Sequence, residues 1–263
     1  MIVMNVKRQD AALLGKKILV TRAANQAKEM ADRIRYYGGE PVFAQVIAYR
    51  PAQGTEAECE AWNKAVREAE WVILTSQNAL DFFIRQTDPN ILGKLKWACV
   101  GKKTAERLAS YGFQADFLPA RFTADSLAQS FAVNVQRPCR AVVPMGSLSD
   151  GHWLEPLRRA NIHLTERVLY ETVACTSERE NLEAAVRQGT LDVLTFASPS
   201  AVSFFTELLE DKDWHAAFAH CLVAAIGPST GREIEKIGYF PEVIPVQHTA
   251  QALVDALASF YSK

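Results

Sequence analysis

Short apolar segments alternate with amphipathic segments along most of this chain. Six apolar runs rich in β-branched residues are KILVT (17–21), WVILTS (71–76), WACVG (97–101), AVVPM (141–145), DVLTFAS (192–198) and LVAAIG (222–227). Between them, segments such as 26–38 and 103–113 carry apolar residues three and four positions apart and run into glycine, which is typical of amphipathic helices. The alternation predicts an α/β fold, with parallel sheets covered by helices on both faces.

An internal repeat divides the pattern in two. Residues 100–131 align with residues 226–257, and seven of the 32 aligned positions are identical. Farther upstream, residues 75–83 align with 197–205 at a nearly equal offset. The sequence therefore predicts two copies of one unit. The alternative is that any two α/β units look alike, because strand, turn and helix boundaries are generic.

Each copy also contains an extended stretch before its central strands, EPVFAQVIAYRP (40–51) and IHLTERVLYETVA (162–174). These stretches are interpreted as strands that leave one domain and enter the next. We therefore predict a discontinuous domain of residues 1–46 plus 174–263 and an inserted domain of residues 52–167. Linker strands at 47–51 and 168–173 would join the two domains.

Composition narrows the possible functions. The chain has 263 residues, 49% of them hydrophobic and 22% charged, which is ordinary for a globular protein. Its 29 Lys and Arg against 30 Asp and Glu leave a net charge of −1, without the positive excess that nucleic-acid binding requires. Five cysteines without a CxxC pair indicate neither a disulfide framework nor a zinc ribbon. Without a signal peptide or a run of 18 apolar residues, we expect a cytoplasmic protein that does not contact membranes.

Small hydroxyl residues and glycines follow the predicted strands. In open α/β sheets, ligands bind beyond the carboxyl ends of the strands, where helix N-termini attract anions. The candidate binding residues at these positions are Arg22, Thr75, Ser76, Asn78, Gly101, Thr104, Ser198, Ser200, Gly227 and Thr230. At any single position, helix capping alone is the better explanation, because Ser, Thr and Asn satisfy free N–H groups wherever a helix begins. Taken together, five such turns along two carboxyl edges would also make a cleft rich in N–H donors.

Several signatures of cofactor chemistry are absent from the sequence. There is no GxGxxG after the first strand, and Lys96 stands where a P-loop would place its first glycine. The five histidines show no HExxH spacing, and no GxSxG marks a hydrolase nucleophile. We therefore expect neither a cofactor nor a metal, and a substrate that brings its own reactivity.

Taken in order, several segments resemble the uroporphyrinogen-III synthase family of tetrapyrrole biosynthesis. They are ILVTRA (18–23), WVILTSQNALDFF (71–83), ACVGKKTAERLASYGF (98–113), VLYET (168–172), DVLTFASPSAVSFF (192–205) and AAIGPSTGREIEKIGY (224–239). The resemblance extends from Lys17 to Ala258. It implies two flavodoxin-like α/β domains, joined by a two-stranded linker, with the substrate in the cleft between them.

The reaction that the resemblance implies needs no cofactor. Linear hydroxymethylbilane loses its hydroxyl group, ring D is inverted through a spiro species, and the ring closes to give uroporphyrinogen III and water. A transient contact with hydroxymethylbilane synthase is expected because the substrate is unstable. The expected state of the chain is a monomer.

The resemblance also suggests roles for individual residues. Tyr170 matches the family's linker tyrosine and is the candidate that hydrogen-bonds or protonates the leaving hydroxyl; the alternative is a half-buried strand tyrosine that packs the hinge. The turn residues named above match the family's binding turns, which would hold acetate and propionate groups. Lys102 and Lys103 would attract the polyanion, or are simply solvated. Gln77 departs from the family pattern, because many members have proline there.

Two other functions compete with this one. A non-catalytic, two-lobed anion-binding protein would use the same paired domains. A glycosyltransferase-like enzyme also has two α/β lobes, but this chain is short for one and lacks a nucleotide-binding signature. An assay of the isomers formed from hydroxymethylbilane discriminates among these functions.

Overall fold

The computed structural model describes residues 11–22 and 27–262. The chain divides into two compact units, which are described separately: unit 1 is Met1–Ala48 with Val173–Lys263, and unit 2 is Tyr49–Thr172. Among the described residues, no helix is long and apolar enough to cross a membrane.

Strands and helices alternate along both units. The strands are β1 Lys17–Val20, β2 Glu40–Phe43, β3 Ile47–Pro51, β4 Trp71–Leu74, β5 Lys96–Cys99, β6 Cys139–Gly146, β7 Ile162–Ala174, β8 Val193–Phe196 and β9 Leu222–Ala225. The helices are α1 Lys28–Tyr36, α2 Glu56–Glu68, α3 Gln77–Gln86, α4 Pro89–Leu92, α5 Lys102–Ala109, α6 Ala124–Asn134, α7 Glu155–Arg159, α8 Arg179–Arg187, α9 Pro199–Leu208, α10 Asp211–His220, α11 Pro228–Lys236 and α12 Ala250–Tyr261. The predicted α/β class is confirmed.

The sheet of unit 1 has the order β2-β1-β8-β9, and all its neighbouring strands run parallel. Numbered within the unit, this order is 2-1-3-4, as in the first four strands of a flavodoxin-like sheet. Unit 2 has the order β3-β7-β6-β4-β5, and the pairs β7–β6, β6–β4 and β4–β5 are parallel. Without β3, unit 2 repeats the order of unit 1.

Central strands are buried on both faces, which explains their continuous apolar runs. In β4, Val72 and Leu74 pack into one apolar cluster, whereas Trp71 and Ile73 pack into another. This alternation follows from the two-residue period of a strand. Unit 1 likewise has one apolar cluster on each face of its sheet.

The repeat predicted from the sequence is visible in the side-chain hydrogen bonds of β5 and β9, which lie at the edges of the two sheets. In unit 2, Asp116 Oδ2 accepts the N–H of Trp97 at 2.8 Å. In unit 1, Glu242 Oε2 accepts the N–H of Val223 at 2.7 Å. Both donors and both acceptors differ by the same 126 positions (223 − 97 and 242 − 116). Residues at equivalent positions therefore make the same hydrogen bond in the two units.

Candidate functional site

Tyr170 lies on β7, opposite Gly146 of β6, where the register of the β6–β7 pair shifts. Tyr170 is 8% exposed, and its ring stacks on Phe82 of α3, with ring centroids 5.1 Å apart. Tyr49 of β3 meets the same ring edge-on at 5.7 Å. The ring is thus held from two sides, and all these residues belong to unit 2.

Gly146 leaves the space that the Tyr170 ring occupies. A Cβ atom at position 146 would lie 2.5 Å from Cζ and 2.6 Å from Oη of Tyr170. Such distances are well inside van der Waals contact, so glycine is required here by the close approach of the ring. The hydroxyl end of Tyr170 therefore rests against the backbone of β6.

The hydroxyl group of Tyr170 meets the beginning of α3. Tyr170 Oη lies 3.3 Å from Ser76 Oγ, and either atom can donate the hydrogen bond. Ser76 Oγ also accepts the N–H of Ala79 at 3.0 Å, which makes Ser76 the N-cap of α3. The phenol is thereby connected to the N-terminal turn of a helix.

The pKa of Tyr170 is raised above its ordinary value of 10.0. Burial is the main cause, because a phenolate is poorly solvated in this site. The hydrogen bond with Ser76 acts in the opposite direction and lowers the pKa, and the nearby Tyr49 raises it. Tyr170 consequently carries its proton at neutral pH.

The remaining turn residues of unit 2 follow β4 and β5. Thr75 and Asn78 are half-buried on either side of the Ser76 cap. Gly101 is the N-cap of α5 without a side-chain hydrogen bond, and Thr104 is buried in the first turn of that helix. The ring of Phe122 covers Gly101, since a Cβ there would lie 3.0 Å from Phe122 Cβ.

Unit 1 repeats these turns after β8 and β9. Ser198 is the N-cap of α9, where its Oγ accepts the N–H of Ala201 at 3.2 Å and lies 3.1 Å from Ser200 Oγ. Gly227 is the N-cap of α11 and lacks a side-chain hydrogen bond. Thr230, in the first turn of α11, is 1% exposed, and its Oγ1 has no hydrogen-bond partner among the described residues.

The charged candidates are more exposed. Arg22 follows β1 and is exposed, and α1 begins only at Lys28. Lys102 and Lys103 are exposed in the first turn of α5, where Lys102 Nζ lies 6.0 Å from the centroid of the Phe122 ring. In the part of the chain that the structure describes, no group of three or more His, Cys, Asp or Glu side chains is arranged to hold a metal ion.

A match to a protein-family model shows which family contains this chain. The model for uroporphyrinogen-III synthase HemD matches residues 28–255, most of the chain. The chain belongs to the uroporphyrinogen-III synthase family. The resemblance found in the sequence is thus confirmed.

Individual members of the family match over nearly the whole chain. The uroporphyrinogen-III synthase of Synechococcus elongatus is 27% identical over 259 residues, covering 94% of this chain and 96% of the relative. That of Chlorobaculum parvum is 28% identical over 252 residues, covering 92% and 98%. The porphyrin biosynthesis protein HemD of Ruminiclostridium josui is 27% identical over 250 residues, but this chain spans only 48% of its length.

Solved structures of family members share the fold. The uroporphyrinogen-III synthetase of Helicobacter pylori superposes with a TM-score of 0.60 at 14% identity, covering 93% of this chain and 99% of that structure. A mutant uroporphyrinogen III synthase of Thermus thermophilus superposes with a TM-score of 0.55 at 15% identity, covering 91% and 96%. The two-domain α/β fold predicted from the resemblance is confirmed.

Several neighbours of the family residues were not predicted from the sequence. Phe82 and Gly146 shape the Tyr170 site, and Phe122 and His248 cover the glycine N-caps. The repeat alignment pointed to two of these contacts, because it places Phe122 over His248 and Gly101 over Gly227. Phe122 covers Gly101, and a Cβ at Gly227 would correspondingly lie 3.1 Å from His248 Cγ. No sequence signal joined Gly146 to Tyr170, because that contact depends on strand register.

Proposed function

We propose that this chain is a uroporphyrinogen-III synthase, which cyclises hydroxymethylbilane with inversion of ring D and releases water. The observation that carries the proposal is the family match over residues 28–255. Relatives matched along nearly their full length bear the same enzyme name, which gives no support to a non-catalytic anion-binding protein.

Tyr170 is the proposed catalytic residue. It donates its phenolic proton to the hydroxyl group of the substrate as the carbon–oxygen bond breaks, and the pyrrole nitrogen supplies the electron pair that expels water. The proton that the substrate loses when the macrocycle closes returns to the phenolate, so the enzyme ends unchanged. The raised pKa keeps the proton on Tyr170 before the reaction, and it also makes Tyr170 a weak acid.

The turn residues are the proposed ligands of the acetate and propionate groups. In unit 2 they are Thr75, Ser76, Asn78, Gly101 and Thr104, and in unit 1 they are Arg22, Ser198, Ser200, Gly227 and Thr230. For all of them except Arg22, the support is the position of the turns at helix N-termini, where free N–H groups and the helix dipole favour anions. Arg22 instead offers an exposed positive charge after β1. Each charge-assisted hydrogen bond contributes about 1.5–3 kcal/mol. The local N–H groups explain how a nearly neutral chain binds a polyanion.

The enzyme's main task in this proposal is to hold a flexible substrate in the geometry that forms the spiro species. Orientation of this kind accounts for a large part of many rate enhancements. The departure of water is assisted by the substrate's own pyrrole, so no protein nucleophile is needed. Cys99 and Cys221 agree with the absence of a protein nucleophile, because burial raises the pKa of the Cys99 thiol to about 12 and that of the Cys221 thiol to about 11.

The proposal extends to how the enzyme works in the cell. All five cysteines are free thiols, which suits a reducing compartment such as the cytoplasm. A monomer that receives the unstable substrate through transient contact with hydroxymethylbilane synthase is the proposed working form.

The deciding experiment supplies freshly prepared hydroxymethylbilane and separates the uroporphyrinogen isomers after oxidation to the porphyrins. Spontaneous closure gives the type I isomer, so the expected result is a type III fraction that rises with enzyme concentration. Binding of the substrate without any type III product above the background would overturn the proposal in favour of a binding protein.

A further inference from the structure

Ser76 lies between the phenol of Tyr170 and the N-terminal turn of α3. Its Oγ accepts the N–H of Ala79 at 3.0 Å and lies 3.3 Å from Tyr170 Oη. A serine hydroxyl has one proton to donate and two lone pairs to accept with. With one lone pair engaged by Ala79, the Ser76 proton is available to Tyr170 Oη.

We propose that Ser76 is a positioning residue for Tyr170, whose hydroxyl donates to the phenol oxygen and leaves the phenol proton free for the substrate. This inference rests on the proposed function, in which Tyr170 protonates the leaving hydroxyl. It gives Ser76 a role in the proton transfer that is separate from the binding of carboxylates.

The hydrogen-bond chain stabilises the charge that forms on Tyr170. After the phenol gives its proton to the leaving hydroxyl, the phenolate accepts the hydrogen bond of Ser76, which itself accepts from Ala79 at the helix N-terminus. The N-terminal end of a helix favours negative charge, and linked hydrogen bonds polarise one another. Ser76 keeps its own proton throughout, and the proton released at ring closure returns to Tyr170.

The other surroundings of Tyr170 offer no comparable group. Phe82 of α3 and Gly146 of β6 are not titratable, and Tyr49 of β3 is the titratable side chain that contacts the ring among the described residues. Burial raises the pKa of Tyr170, and Ser76 is the neighbour that lowers it. The polar support of the phenolate therefore comes from Ser76.

Unit 1 provides a matched control within the same chain. Ser198 is the repeat equivalent of Ser76 and caps α9 through the N–H of Ala201 at 3.2 Å. Its second neighbour, however, is Ser200 Oγ at 3.1 Å rather than a tyrosine. Removal of either serine hydroxyl deletes a cap, but only the change at Ser76 deletes a contact with a phenol.

A kinetic double-mutant cycle tests the role. Ser76→Ala is expected to lower kcat by about 5- to 20-fold, since the lost interaction strengthens only when the phenolate forms; a rise in KM beside this fall reports the separate loss of a proposed carboxylate ligand. In the Tyr170→Phe background, Ser76→Ala should lower kcat no further. An equal fall in both backgrounds, or a change in KM alone, would overturn the proposal.

The Ser198→Ala variant separates positioning from capping. It should lower the Tm about as much as Ser76→Ala, because both variants lose one N-cap. Its kinetic effect should fall on KM, as expected for a proposed carboxylate ligand. If Ser198→Ala lowered kcat as much as Ser76→Ala does, the lost helix caps would explain both effects, and the positioning role of Ser76 would be overturned.

A second readout does not need activity. Incorporated 3-fluorotyrosine has a more acidic phenol than tyrosine, and its 19F resonance can be assigned to position 170 with Tyr170→Phe. Ser76→Ala is expected to raise the pKa at position 170, whereas Ser198→Ala should leave it unchanged. An unchanged pKa of the 3-fluorotyrosine at position 170 in Ser76→Ala would overturn this inference. If the wild-type protein makes no type III isomer, the proposed function is overturned instead.

Discussion

Tyr170 combines features that oppose each other at the scale of a single residue. Burial against Phe82 and Gly146 fixes the ring but raises the pKa of the phenol, and Ser76 offsets part of that increase. The sequence suggested Tyr170 only through the family resemblance, because a strand tyrosine carries no signal of its own. Its contact with Ser76 joins residues 94 positions apart and depends on the fold.

Removal of the Tyr170 hydroxyl should slow the reaction without disturbing the site. Tyr170→Phe keeps the ring on Phe82 and loses one 3.3 Å hydrogen bond. We expect kcat for the type III isomer to fall about 10- to 100-fold, on the scale of general-acid contributions. Initial rates measure the fall, and circular dichroism checks the fold. Unchanged turnover would remove Tyr170 from the mechanism.

Filling the space at position 146 should displace the Tyr170 ring. Gly146→Ala places a methyl group 2.5 Å from Tyr170 Cζ, so we expect a loss of about 1–3 kcal/mol in the free energy of unfolding and a lower kcat. Urea denaturation measures the first effect. In a Tyr170→Ala background the same change should cost much less, because the clashing ring is gone. Equal costs in both backgrounds would contradict this explanation.

At the scale of elements, the apolar runs located the strands and the polar residues that follow them. The sequence placed Thr75 and Ser76 after the strand WVIL, and β4 does end at Leu74, with Ser76 as the N-cap of the next helix. The extended stretch of residues 40–51 contains two strands, β2 and β3, which belong to different sheets. The sequence pattern shows that a segment is extended, but not which strand it pairs with.

Equivalent caps in the two units should contribute equally to stability. Thr123 caps α6 through the N–H of Ser126, and Thr249 caps α12 through the N–H of Ala252, both at 3.2 Å. Thr123→Ala and Thr249→Ala are each expected to lower the free energy of unfolding by about 1 kcal/mol. Thermal and urea unfolding followed by circular dichroism measure both variants. Thr→Ser at the same positions is the control, since serine keeps the capping oxygen.

At the scale of the whole molecule, alkaline pH should destabilise the fold. Burial raises the pKa of Cys99 from 9.0 to about 12 and that of Cys221 from 9.0 to about 11, and it also raises the pKa of Tyr170 from 10.0. Between pH 9 and 12 the unfolded chain therefore binds fewer protons than the folded chain. By linkage, the free energy of unfolding falls as pH rises through this range.

Urea denaturation at a series of pH values measures this dependence. Cys99→Ala should make the fall of the free energy of unfolding with pH less steep between pH 9 and 12, by up to the contribution of one proton. The variant has no thiol at position 99 that could ionise in the unfolded chain. An unchanged slope in Cys99→Ala would show that this buried thiol does not contribute.

The sequence by itself determined the α/β class, the repeat and the family, because apolar periodicity and turn residues are local features that can be recognised without knowing which segments are in contact. Only the tertiary structure decided that Ser76, Gly146 and Tyr170 meet, since parallel strands distant in sequence lie side by side in unit 2. A shift of one residue in the β6–β7 register would turn Tyr170 to the other face of the sheet. The local sequence pattern therefore specifies the helices and strands, and the pairing of distant strands specifies which side chains meet in the site.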